Sequence, residues 1–255
     1  MTPHGALGHL DVAQLAIWAF WFFFAALIWY LRQEDRREGY PLESEQDGGI
    51  RSRGFLFIPD PKTFRLSDGT SIKAPNYLGD TRPLNARKVE PWPGAPLEPV
   101  GDPLLAGVGP GSWAVRPDFP YQTLDGHDLI VPTRVATNYA VAIEGSNPLG
   151  FAVVGADRKA AGVIKDVWVD RGESVLRYYE IALDAGGSVL APVLFVDIDG
   201  KARVAKIAAL TSAQIANVPK VRSPDSVTLQ EEDRVTSYYG AGTLYSNAER
   251  AEPLL

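Results

Sequence analysis

Residues 12 to 31 read VAQLAIWAFWFFFAALIWYL, an apolar run from Val12 to Leu31 broken only by Gln14. Twenty residues at ~1.5 Å of rise give a helix of ~30 Å, the hydrocarbon thickness of a bilayer. A single segment in lipid satisfies its own backbone groups only as a helix. Trp18, Phe20, Trp21, Phe22, Phe23, Phe24, Leu27 and Ile28 cover every side of that helix, whereas a helix buried in a soluble domain keeps a polar stripe. A cleaved signal peptide is the other alternative. It fits poorly, because MTPHGALGHLD before the run has no Lys or Arg and the run is too long. The expectation is a retained transmembrane helix over 12–31.

The flanks give its direction. Arg32, Arg36 and Arg37 follow the span and no basic residue precedes it, so the positive-inside rule puts residues 1–11 outside and the rest in the cytoplasm. Trp29 and Tyr30 fall at the inner headgroup level. RQEDRREGYPL, Arg32 to Leu42, reads as polar helical turns stopped by Gly39 and Pro41. Its charges are either a solvated helix exit or contacts to partner loops and anionic headgroups.

Of 255 residues, a little over 200 remain for soluble structure. The net charge of −6 comes with scattered basic residues, which argues against nucleic acid as a partner. The absence of cysteine excludes disulfides, thiolate metal sites and thiol catalysis.

From Pro41 to Pro120 lie thirteen of the twenty prolines, a density that leaves short strands and extended chain. Two alternating runs, Thr63–Leu66 and Ser71–Ala74, flank an Asp-Gly turn and predict a hairpin. Phe55, Phe57, Phe64, Tyr77, Trp92, Trp113 and Phe119 need a surface to pack on, which points to another protein.

Beyond Tyr121 the spacing predicts a small antiparallel barrel or sandwich. Strands are expected at 145–154, 161–170 (Val163, Val167 and Val169 on one face), 175–183, 189–197 and 201–207, the last two joined at Asp199-Gly200. A short helix is expected over Thr211–Ala216. A longer one is expected over Asp225–Tyr239, capped by Ser226 or Thr228, with Glu231 and Glu232 in its first turn and Gly240 and Gly242 closing it.

No nucleophile, phosphate loop or metal-ligand spacing stands out. His127 is the one histidine on the inner side, the others being His4 and His9, and Gly107-Val-Gly-Pro-Gly-Ser112 lacks the lysine of a phosphate cradle and reads as a turn. Titratable groups do cluster in two turns: Asp125, His127 and Asp128 in TLDGHDLIVP, and Asp170 and Glu173 in VWVDRGES. They are either solvated turn residues or, with histidine titrating near neutrality beside carboxylates, a proton relay. Glu231 and Glu232 are further acids that tune the field.

With these pieces placed, the chain resembles the H subunit of the purple bacterial photosynthetic reaction centre nearly end to end. DVAQLAIWAFWFFFAALIWYLRQEDRREGYPLE, PKTFRLSDG, GDPLLAGVGPGSW, DVWVD and VTLQEEDRVTSYYGAGTLY carry the likeness. The resemblance implies a photosynthetic-membrane subunit with one N-terminal transmembrane helix and a mainly β cytoplasmic domain, a PRC-type barrel with a C-terminal helix. Such a subunit caps the quinone side of the L and M subunits, stabilises the complex and helps deliver protons to the secondary quinone. It has no active site and binds no cofactor or metal of its own. Bacteriochlorophyll, bacteriopheophytin, quinones and non-haem iron belong to L and M, and an antenna ring and anionic lipids are further candidate partners.

The division expected is 1–11 periplasmic, 12–31 transmembrane, 32–120 helix exit and proline-rich surface segment, 121–246 β domain with its terminal helix, and 247–255 tail. By the resemblance, Asp125, His127 and Asp128 take up protons, and Asp170 and Glu173 form the inner relay. Trp29, Tyr30, Arg32, Arg36 and Arg37 line the membrane edge. Some members carry a second histidine where this chain has Asp128, which puts metal inhibition at a paired-histidine uptake site in doubt. A membrane-tethered PRC-barrel adaptor is the alternative; it would need neither REGYPLE nor the aromatic, proline-rich middle. A membrane-anchored enzyme would need a motif not found.

Overall fold

The computed structural model describes residues 11–40, 42–43, 50–51, 58–66, 69–76, 81–142 and 145–247. His4, His9, Phe55, Phe57, Tyr77, the expected Ser67-Asp68 turn residues and the tail beyond Asn247 lie outside them. The chain forms two compact units, Met1–Arg82 and Pro83–Leu255.

In the first unit the apolar run is one helix, α1, over Val12–Glu34. The Asp11 carboxylate caps it by accepting from the Ala13 amide at 3.3 Å. None of its residues is buried, and it is long and apolar enough to cross a membrane, which fits a membrane location. A 3-10 turn over Asp35–Arg37 follows, and Gly39 turns the chain away at φ 74°. Strands β1 (Leu42–Glu43) and β2 (Ile50–Arg51) pair, as do β3 (Lys62–Arg65) and β4 (Ser71–Ala74), the hairpin expected from the alternation.

The second unit opens with the antiparallel pair β5 (Ala86–Lys88) and β6 (Leu97–Pro99). Its main sheet contains β7 (Ile130–Pro132), β8 (Ala152–Val154), β9 (Ala160–Asp170), β10 (Val175–Leu183), β11 (Ser188–Pro192), β12 (Asp197–Asp199) and β13 (Val204–Lys206). The order is β11-β10-β9-β8-β13-β12, with β7 on the far end of β9. All pairings are antiparallel except β13 with β8. Helix α2 (Ser212–Ile215) and helix α3 (Leu229–Tyr245) complete the unit, each opened by a threonine capping box at Thr211 and Thr228. The core gathers Trp168, Tyr239, Ile164, Ile181, Leu210 and Ile215.

Four expectations need correction. A register shift puts Ile164 opposite Ile181, so Ile164 is buried at 1% exposure while Val163 stands 43% exposed instead of sharing the face of Val167. The strand expected over 189–197 ends at Pro192 in a 3-10 turn, Val193–Phe195, because proline supplies no ladder donor. The strands expected at 145–154 and 201–207 shrink to three residues each, and β7 was not foreseen. Helix α3 starts at Leu229 rather than Asp225 and runs through Gly240 and Gly242 to Tyr245. Those glycines are there for close packing: a Cβ at Gly240 would strike the Pro110 carbonyl, and one at Gly242 the Ala209 carbonyl.

Segment 114–119 straps the start of α3. The Leu229 and Gln230 amides donate to the Phe119 and Pro117 carbonyls at 3.2 Å each, while Asp233 accepts from the Ala114 amide at 2.7 Å. Helix donors that lack intrahelical partners are thereby satisfied by the chain itself.

Candidate functional site

Residues 121–129 form a small hairpin tip. Gln122 bridges Asp128, the Thr123 amide donates to the His127 carbonyl at 2.7 Å, and Gly126 turns the chain at φ 79°. Asp125 and His127 stand exposed on this tip, and Asp128 is half-buried at its base.

Asp170 closes β9 and is buried at 6% exposure. Its Oδ1 accepts from the Gly172 amide at 2.9 Å and the Glu173 amide at 3.1 Å, so the carboxylate folds the turn back on itself and leaves the Glu173 side chain in solvent. Arg171 joins the two turns. Its guanidinium donates to the Asp128 carbonyl, and its own amide donates to the Leu129 carbonyl at 3.0 Å. The two turns that carry these residues, some forty positions apart in sequence, thus meet along one seam.

A third carboxylate lies behind Asp170. Glu232, in the first turn of α3, accepts from the Tyr178 hydroxyl at 2.8 Å and lies 3.8 Å from the Arg177 guanidinium. Burial raises the Glu232 carboxyl above the ordinary carboxylate range; the Tyr178 hydroxyl and Arg177 pull it down, and the negative charge of Asp170 adds to the rise. Burial, with Glu232 next to it, also pushes the Tyr178 hydroxyl up. The sequence placed Glu232 near a helix start but gave no sign that the charge of Asp170 acts on it, because strand and helix converge only in the folded domain.

A separate charged network was missed altogether. Arg134 reaches Asp166 at 2.9 Å and Glu180 at 2.6 Å, and Lys165 meets the other Glu180 oxygen at 2.6 Å. The Trp168 indole donates to Glu180 at 3.2 Å, and Thr133 donates to Asp166 at 2.5 Å. Burial alone would raise the Glu180 carboxyl, but the hydrogen bonds from Lys165, Arg134 and Trp168 hold it below the usual value. Asp166 and Glu180 are facing partners on β9 and β10, a register that sequence does not print.

At the helix exit, Trp29 and Tyr30 are about half exposed. Arg32 pairs with Asp35 at 3.3 Å, and Arg36 lies over the Tyr40 ring at 5.4 Å. Arg37 is 9% exposed and works inside the chain: it grips Glu34 through two bonds of 2.9 Å and donates to the Asp60 and Ala74 carbonyls. Among the described residues no group of three or more His, Cys, Asp or Glu is arranged to hold a metal ion.

Two family models match this chain. The photosynthetic reaction centre H-chain N-terminal region covers residues 5–135, and the PRC-barrel domain covers residues 141–210. The first takes in α1, the β3–β4 hairpin and the Asp125 to Asp128 tip; the second takes in β8 to β13 and the Asp170 turn. With an apolar helix ahead of a β domain of that kind, the chain belongs to the H-chain family of photosynthetic reaction centres and associates with a reaction centre complex.

Proposed function

We propose that this subunit conducts protons from the cytoplasm toward the secondary quinone held by L and M subunits, while capping and stabilising their quinone side. In this reading α1 spans the bilayer with residues 1–11 outside, and the β domain lies in the cytoplasm of a photosynthetic membrane. The pigments, quinones and non-haem iron sit in L and M, and this chain has no active site of its own.

The observation that carries the proposal is the Arg171 seam, which joins the exposed Asp125–His127 tip to the turn of Asp170 and Glu173. His127 stands exposed to bulk water on this tip, where its ring nitrogens can hydrogen-bond to solvent. Asp125 and Asp128 supply acceptors beside it. Glu173, Asp170 and Glu232 continue the line inward, and the raised Glu232 carboxyl is suited to hold a proton between transfers. Ordered water completes such a chain wherever carboxylates are more than a hydrogen bond apart.

The test is flash-induced electron transfer in the assembled complex. Glu173→Gln should slow the proton-coupled second electron to the quinone and leave the first charge separation unchanged. His127→Ala with Asp125→Asn should slow proton uptake mainly above neutral pH, where bulk protons are scarce. Equal second-electron kinetics in Glu173→Gln and parent would remove Glu173 from the path, and unaltered uptake across the neutral range would move the uptake point elsewhere.

A further inference from the structure

The β3–β4 hairpin is fixed to the end of α1 by a set of specific contacts. Lys62, the first residue of β3, pairs with Glu34 at 2.7 Å and holds its ammonium 5.5 Å from the centre of the Tyr30 ring. Arg37 ties down the two chain ends of the hairpin through the Asp60 and Ala74 carbonyls, at 2.6 and 3.1 Å. Tyr30 belongs to the last apolar turn of α1, so the root of the hairpin lies at the level where the helix leaves hydrocarbon.

The hairpin is two-faced. Facing residues of an antiparallel pair share a side and alternate along each strand. The pairs Lys62↔Ala74 and Phe64↔Ile72 therefore share one face, and Thr63↔Lys73 and Arg65↔Ser71 share the other. The first face carries two large apolar side chains, Phe64 at 41% and Ile72 at 49% exposure, next to the same Lys62 that covers Tyr30. The second face carries the cations Arg65 and Lys73 and two hydroxyls.

We infer that this hairpin is a second membrane contact: an amphipathic ribbon lying in the headgroup layer beside α1, with Phe64 and Ile72 against the acyl boundary and Arg65 and Lys73 on anionic lipid phosphates. The inference rests on α1 spanning the bilayer. Continuity with the span selects a lipid surface as the occupant, and the basic face selects anionic lipid, since each cation near such a surface adds about fivefold to binding. Apolar side chains at this depth with charges beside them is the arrangement of an interfacial anchor.

The chain contains no cysteine, so single cysteines carry spin labels without background. The full chain would be placed in phosphatidylcholine vesicles with and without phosphatidylglycerol, labelled at Ile72→Cys, Lys73→Cys or Phe22→Cys, alone and within its native complex. The expected result is that the Ile72→Cys label meets dissolved oxygen more than a water-soluble nickel complex, the Lys73→Cys label does the reverse, and the contrast deepens with phosphatidylglycerol. Equal nickel access at both positions would overturn the inference. A label at Ile72→Cys shielded from both reagents in the complex would overturn it too, and assign the face to another subunit. The Phe22→Cys label tests the span by itself: nickel access there would mean that α1 does not cross, a failure distinct from that of the hairpin. Arg65→Gln with Lys73→Gln should abolish the phosphatidylglycerol dependence while leaving the Phe22→Cys label in lipid.

Discussion

Glu180 is a heavily engaged carboxylate of the β domain, with side chain 4% exposed and bonds to Lys165, Arg134 and Trp168. Its folded-state affinity for a proton is depressed, so its contribution to stability is present above the ordinary glutamate value and is lost as pH falls through the lower folded value. Glu180→Gln should therefore cost roughly 2 kcal/mol at neutral pH, discounted because Arg134 and Lys165 are partly exposed. Thermal melts of variant and parent should converge only in acid below that lowered folded-state value, where the parent carboxyl is protonated as well. A difference that persists unchanged into acid would mean that packing, and not charge, is what Glu180 provides. None of this was legible in the sequence, where Asp166 and Glu180 are two acids in adjoining strands and Arg134 is a lone cation in a turn. Asp125, His127, Asp170 and Glu173 were legible, because turn chemistry and charge are local. That Arg171 joins their two turns was not, since a contact over some forty residues depends on β7 pairing with the end of β9.

Among the elements, α1 and the β3–β4 hairpin were readable because hydrophobic run and strict alternation each report one structure. Five of the seven strands of the main sheet were readable, but their register was not, since a bulge changes which residue faces the core without altering composition. Helix α3 shows the clearest limit. Glycine pairs near a helix end normally signal its close, and here they sit inside the helix because the Pro110 and Ala209 carbonyls approach its surface. Gly240→Ala thus sets two effects against each other. Alanine favours an isolated helix by about 1 kcal/mol, but the added methyl must push α3 off the turn that contains Pro110, at a cost of roughly 1–3 kcal/mol. We expect net destabilisation with retained helix content, measured as a lower melting temperature with unchanged far-ultraviolet dichroism. A rise in melting temperature would show that the turn yields.

At the scale of the molecule, the buried core clusters draw on residues from Leu104 to Ala241, all within the second unit. That unit should therefore fold when residues 1–82 are deleted, giving one cooperative thermal transition; loss of the transition would show that the first unit completes its core. The family matches divide the chain elsewhere: the H-chain N-terminal region runs over residues 5–135, across the boundary between the units, and the PRC-barrel match over 141–210 lies wholly in the second.

The strap over α3 has a consequence in time. Ala114 and Arg116 bond to Asp233 and Gln230, 119 and 114 positions later in the chain. During synthesis α1 is finished long before α3 exists, so the proposed span is complete while the strap still lacks its partner. Domains close when their last element leaves the ribosome. With α1 spanning the bilayer as proposed, this one acquires its finished surface only after the chain is tethered, and its search for a docking partner is confined to two dimensions from the moment it can begin.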